Sequence, residues 1–275
     1  MPLKHRLTTK KMNLQLENKL ALVSGSTAGI GFAIAKSRAV ERARVIVNGR
    51  TEARVKKAIA AIRADIPAAK LEALALDLSK ADAAAKAAQR FPDVAILVNN
   101  LGVYAPKPFE DITDADWASI IETNFMSGVR LSRYYLSRMK AANWGRIIFI
   151  SSESAVNIPR EMIHYGVTKT MQVALARGLA ETTAATRVTV NSVLAGPTRS
   201  EGVKEFITGL AKTKNVSAGA VEKEFFTTTR PSSLLQRFAT PDEIAALVVL
   251  VARPLSSSTN GAALRADGGV VISIL

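Results

Sequence analysis

Seven short apolar runs of strand type recur along the chain: LALVS (20–24), RVIVN (44–48), LEALAL (71–76), VAILVNN (94–100), RIIFIS (146–151), RVTVNSV (187–193) and GAALRA (261–266). Ala-, Lys- and Glu-rich stretches with helical spacing lie between them, at 29–41, 52–64, 79–90, 115–140 and 163–183, and a last helix is expected at 241–253. Strands that are apolar throughout are buried on both faces, and their alternation with helices indicates a parallel sheet covered on either side. The pattern therefore predicts an α/β fold: one doubly wound, Rossmann-type domain over residues 18–275 with a parallel seven-stranded sheet. Residues 198–235, rich in Thr, Ser, Lys and Gly, break the rhythm and are expected to form an insertion with one or two short helices, a lid over substrate. The basic start, residues 1–17, lies ahead of the pattern and is expected to be a flexible extension.

Directly after the first run, SGSTAGIG places three glycines where a strand turns into a helix. Glycine lets the backbone turn tightly and approach a pyrophosphate, whose charge is favoured by free N–H groups at the helix N-terminus. A dinucleotide site is expected at Gly25, Ser26, Thr27, Gly29, Ile30 and Gly31. The second strand ends VNGR, with Gly49 where NAD-binding folds usually carry an acid and Arg50 after it. A guanidinium there suits the 2′-phosphate of NADP(H), which is expected in preference to NAD(H); a solvated loop arginine is the alternative. Asp77 and Leu78, ending the third strand, could meet the adenine edge, although Asp77 could equally cap the next helix. Asn99, Asn100 and Gly102 reach the same carboxyl edge of the sheet, where ligands of open α/β folds bind.

In YGVTKT, Tyr165 and Lys169 are four residues apart and share a helix face, but the spacing alone fits a surface pair as well as an acid–base pair. Ser152, at the end of the fifth run, is thirteen residues earlier and could face them.

The formal charge of +14 invites a nucleic-acid reading, yet the basic residues are scattered among acids without a basic run. Nucleic acid is therefore not expected as a partner, and the excess reads as solubility and attraction for an anionic cofactor or substrate. The chain has no cysteine and two histidines, so no metal site is expected and a reducing compartment suits it. No apolar run approaches the ~20 residues of a membrane span, and a cytoplasmic location is expected.

These motifs together resemble the short-chain dehydrogenases/reductases, from about residue 18 to 272. The pattern stands here as Gly25-x-x-x-Gly29-x-Gly31, Asp77, Asn99-Asn100-Leu101-Gly102, Asn124, Ser152, Tyr165-x-x-x-Lys169, Asn191, Gly196 and Asp267-Gly268-Gly269. The likeness is greatest to 3-oxoacyl-(acyl carrier protein) reductases and related oxidoreductases. It implies a ketoreductase chemistry on a small carbonyl or alcohol, with a non-catalytic nucleotide-binding or regulatory role as the alternative. Tyr165 would be the general acid/base and Lys169 would favour its phenolate and bind the nicotinamide ribose. Ser152 would hydrogen-bond the reacting oxygen, and Asn124 would hold a water that relays protons to Lys169. Thr198 and Ser200 would close over the cofactor. Relatives are commonly tetramers joined through the helices at 115–140 and 163–183 and the C-terminal strand, so a homotetramer or homodimer is expected.

Four residues depart from the pattern. Ser24 replaces Thr but keeps the hydroxyl; Arg42 replaces a Gly after the first helix; Leu101 replaces a small Ala; Ala195 replaces a Pro before Gly196. His164 reads as a pocket-rim or packing residue and not as a second base. Glu153, Arg160 and Glu161 could pair around the pocket mouth or touch substrate, and Phe206, Phe225 and Phe226 could line an apolar site or pack the lid.

Overall fold

The computed structural model describes residues 14–274. Most of the extension expected to be flexible, residues 1–13 of 1–17, lies outside them. Leu16 is buried and Leu14 packs beside it on the core, so the docked body begins before residue 18.

The seven apolar runs form β1 (Leu20–Val23), β2 (Arg44–Gly49), β3 (Lys70–Ala75), β4 (Ile96–Asn99), β5 (Gly145–Ser152), β6 (Val188–Ala195) and β7 (Ala263–Ala266). They make one parallel sheet of order β3-β2-β1-β4-β5-β6-β7. Alternate residues of β1 feed different faces: Ala21 and Val23 join one core with α1 (Gly29–Val40), α2 (Glu52–Asp65) and α9 (Pro241–Ala252). Leu20 and Leu22 join the other, with α3 (Ala83–Arg90), α5 (Ser127–Ala141) and α6 (Ile163–Glu181). This period of two is what a sheet covered on both faces requires. The chain order reverses between β1 and β4, which opens a crevice at the carboxyl ends of those strands.

Two helices differ from the sequence expectation. The stretch 79–90 becomes helical only from Ala83, because Asp77 Oδ1 accepts hydrogen bonds from the backbone N and hydroxyl of Ser79 and closes a separate turn. Asp77 thus caps a turn and not the helix. The single helix expected over 115–140 is α4 (Asp114–Ile121) and α5 joined by a π turn at Glu122–Met126. The wider turn disturbs the helical ladder at Asn124, which is buried there.

Residues 198–235 contain α7 (Glu201–Lys214) and α8 (Ala218–Glu224), followed by a π turn at Phe225–Thr229. Ile207, Ala211, Val221, Phe226 and Phe238 form a small apolar core of their own beneath these helices.

Arg42, at the end of α1, has φ 59°, the left-handed conformation that the missing glycine would take without strain. Its backbone N donates to Ala39 O and its carbonyl accepts from Asn18, so the conformation is held by the turn. Arg42→Gly is expected to stabilise the fold by about 1 kcal/mol, read as a rise of about 2 °C in Tm by calorimetry. An unchanged or lower Tm would show that the arginine side chain offsets the strain.

Candidate functional site

Gly25 (φ 63°) and Gly29 (φ 55°) let the chain leave β1 and enter α1 in a tight loop. The loop is braced from both neighbouring strands. Asn100, just past β4, donates from Nδ2 to the carbonyls of Ser24 (2.9 Å) and Gly25 (3.2 Å), and Ser24 Oγ accepts from the backbone N of Asn100 and Leu101. On the other side, Asn48 Oδ1 accepts from Gly25 N, while its Nδ2 donates to Leu74 and Leu76 of the β3 region. A Cβ on Gly31 would overlap Asn100 Nδ2 and Gly25 O, so only glycine fits there.

The residue before α1, Ala28, supplies no side-chain cap, and the first turn carries no acid. By contrast α2, α4, α7, α8 and α9 are each capped by a Thr or Ser side chain. The leading N–H groups of α1 are thus left for another acceptor at the glycine loop, which fits the pyrophosphate of a dinucleotide.

The structure distributes the other expected cofactor residues unevenly. Ile30, Gly102, Thr198 and Ser200 line the cleft beside the loop. Ser26 Oγ is occupied by the backbone N of Asn48, and Thr27 packs against Gly49, so their side chains build the loop. Leu78 is buried in the core and has only backbone to offer. Asn99 turns Nδ2 to Ser132 on α5; Asn100 lines the cleft in its place. Arg50 is exposed directly after β2, one residue beyond the contact of Gly49 with Thr27. A Cβ at 49 would lie 2.5 Å from Thr27 Cγ2, so a side chain there would have to displace Thr27.

On the far wall of the same cleft stand Ser152, Tyr165 and Lys169. Burial pushes the Tyr165 phenol up to about 12, against the pull of a hydrogen bond with Ser152. Burial lowers the Lys169 ammonium to about 8. Lys169 Nζ lies 5.6 Å from the Tyr165 ring centre and donates to Ile150 O at 2.9 Å and to Gln172 Oε1 at 3.3 Å.

Asn124 is tied down on every side. Its Oδ1 accepts from Val103 N, its Nδ2 donates to Val103 O and Thr168 Oγ1, and its backbone carbonyl accepts from Gln172 Nε2. Gln172 thus bridges the Asn124 carbonyl and the Lys169 ammonium. Its amide orientation is fixed by its neighbours: an ammonium only donates and a carbonyl only accepts, so Oε1 must face Lys169 and Nε2 must face Asn124.

Gln172 escaped the sequence reading although it lies three residues after Lys169, a spacing that puts both on one helix face. Arg230 also escaped it, and no local signal existed. Its Nε donates to Glu153 Oε1 at 2.9 Å and its Nη1 to Glu161 Oε1 at 3.2 Å. Glu153 and Glu161 thus pair at the cleft with Arg230, and Arg160 is not among the lining residues. His164 is buried against Trp117 at 6.0 Å and lies outside the lining too, while Phe206 and Phe225 line the cleft and Phe226 belongs to the core beneath it.

A family model described as short chain dehydrogenase matches residues 19–210. The uncharacterized oxidoreductase YvaG of Bacillus subtilis is 46% identical over 96% of this chain and 100% of its own length. A D-beta-hydroxybutyrate dehydrogenase of Cupriavidus necator is 33% identical over 93% and 99%. A crystal structure of a candidate NAD(P)-dependent gluconate 5-dehydrogenase from Beutenbergia cavernae with bound NADP superposes with a TM-score of 0.82, at 29% identity, over 95% of this chain and 100% of that one.

Gln172→Leu leaves the buried Asn124 carbonyl without a donor and removes one acceptor from the Lys169 ammonium. A loss of about 1–3 kcal/mol in stability is expected from denaturant unfolding. The Lys169 pKa, followed by NMR of its ammonium, should fall below its starting value, because the charged form loses a partner. An unmoved pKa would show that Gln172 does not touch the lysine.

Proposed function

The chain belongs to the short chain dehydrogenase family and is an NAD(P)-dependent enzyme acting on CH–OH or C=O groups; we propose that it uses NADP(H) and the Tyr165, Lys169, Ser152 and Asn124 set to interconvert a carbonyl and a secondary alcohol. The observation that carries this reading is that Tyr165, Lys169 and Ser152 line the same cleft as the glycine loop, with Lys169 and Ser152 buried in it. A bound nicotinamide would supply or accept the hydride.

The protein groups then have separable tasks. At neutral pH a phenol held at about 12 keeps its proton, so Tyr165 is ready to give it to a substrate oxygen in reduction. Ser152 hydrogen-bonds the same oxygen and stabilises charge that develops on it. Lys169, still charged below about 8, favours the phenolate that remains after transfer and draws the proton donor toward a usable acidity. Gln172, Ile150 and Asn124 hold that ammonium in place.

The sign of the pH dependence follows. The donor stays protonated through the working range, whereas Lys169 loses its charge as pH rises through about 8. Reductive kcat/KM is expected to be level near neutrality and to fall above that point. Tyr165→Phe should lower kcat by more than about a hundredfold with NADPH binding nearly unchanged, since only the hydroxyl is removed. Wild-type turnover in that variant, over a panel of carbonyl substrates, would overturn the assignment; NADPH binding without turnover in the wild type would favour a regulatory role.

The cofactor preference rests on Arg50. A charge-assisted contact to a 2′-phosphate is worth roughly 1.5–3 kcal/mol, or about ten- to a hundredfold in affinity. The relative with bound NADP supports the same preference. Arg50→Ala is expected to erase most of the difference between the NADPH and NADH dissociation constants by weakening NADPH alone. A wild-type preference for NADH that the substitution leaves untouched would assign Arg50 to the solvent.

A homotetramer or homodimer in the cytoplasm, and closure of α7 and α8 over the substrate, belong to the same reading. Among the described residues no helix is long and apolar enough to cross a membrane.

A further inference from the structure

The cleft has a volume of about 750 Å³, and its outer wall is built by the 198–238 region. Phe206, Ile207, Leu210, Val221, Phe225 and Phe238 make that wall apolar. Tyr165 and Ser152 line the same cleft, so a carbonyl compound presented to the two hydroxyls would have this hydrocarbon within the site for its substituents.

The charged side chains of the lining are already matched to one another. Lys214 donates to both oxygens of Glu224, at 2.7 and 2.8 Å. Arg230 is held by Glu153 and Glu161 together and donates further to Thr229 O, with its side chain 11% exposed. Two carboxylates thus surround one guanidinium. Among the described lining residues, Lys169 is the one cation without a carboxylate partner, and it sits under the Tyr165 ring at the reacting end.

We propose that this cleft selects an uncharged carbonyl compound with an apolar substituent and turns away analogues that carry a carboxylate. The inference rests on the carbonyl–alcohol reading above and goes beyond it to the substrate class. A third carboxylate at Arg230 would meet two of its own kind beside an apolar wall, and displacing the buried Glu153 would break a pair whose side chains are 11% and 5% exposed. Neutral carbonyl compounds meet no such penalty and gain from contact with the phenylalanines.

A matched pair of 3-oxo compounds tests it: ethyl acetoacetate, which is neutral, and acetoacetate, which is an anion at pH 7. In the wild-type enzyme with NADPH, kcat/KM for the ester is expected to exceed that for the acid by more than about a hundredfold, the scale of a like-charge contact. Glu161→Gln frees part of Arg230 and should narrow the ratio at least about tenfold, with the kcat/KM of the acid itself rising. Binding of both compounds to Tyr165→Phe loaded with NADPH, read from the cofactor's fluorescence, separates this inference from the reaction reading. Ester binding without acid binding, but with no turnover in the wild type, would strike the reaction reading and leave the charge selection standing. Equal use or equal binding of the acid, no binding of the ester, or an unmoved ratio in Glu161→Gln would overturn the inference.

Discussion

Two hydrogen bonds from one amide, Asn100 Nδ2 to the carbonyls of Ser24 and Gly25, set the point at which the first strand leaves the sheet and the first helix begins. Asn100 stands just past β4, across the place where the strand order reverses, so the bonds tie the two halves of the sheet at the crevice. Gly31 has no room for a side chain because that amide lies where its Cβ would be. The start of α1 is thus held against β4 by this contact.

The wall that carries Tyr165 and Lys169 shows how burial creates chemistry from ordinary side chains. The same loss of water raises the phenol and lowers the ammonium, since each shift favours the neutral form. The π turn at Asn124 brings a backbone carbonyl to the lysine's support network, and Gln172 joins the two through the only amide orientation their chemistry allows. Protein groups make the link from Lys169 to Asn124, where a water would be free to exchange.

The outer wall follows a different logic. α7 and α8 rest on a small apolar core of their own, yet Arg230 ties the end of this region to Glu153, the residue after Ser152. A charged pair with one side chain 11% and the other 5% exposed is costly to take apart, because separation leaves a buried charge without its partner. The pair therefore couples the position of the substrate wall to the end of β5, where the reacting oxygen would be held.

The sequence by itself determined the parts that depend on neighbours in the chain. Apolar runs of strand length, helical spacing between them and glycines at a strand-to-helix turn are local patterns, and all seven strands and the loop followed from them. Tyr165 and Lys169 share a helix face by spacing, but the family pattern was needed to single them out, and the same pattern marked Arg42 as standing where a glycine is usual. Only the tertiary structure decided that Asn100 and not Asn99 faces the cleft, that Asp77 closes a turn, and that the helix at 115–140 widens at Asn124. It alone brought Arg230 to Glu153, seventy-seven positions away in the chain. Such contacts join residues on different crossovers, and their partners are set by the strand order. A periodicity in one segment carries no record of which distant segment will lie beside it once both faces of the sheet are covered.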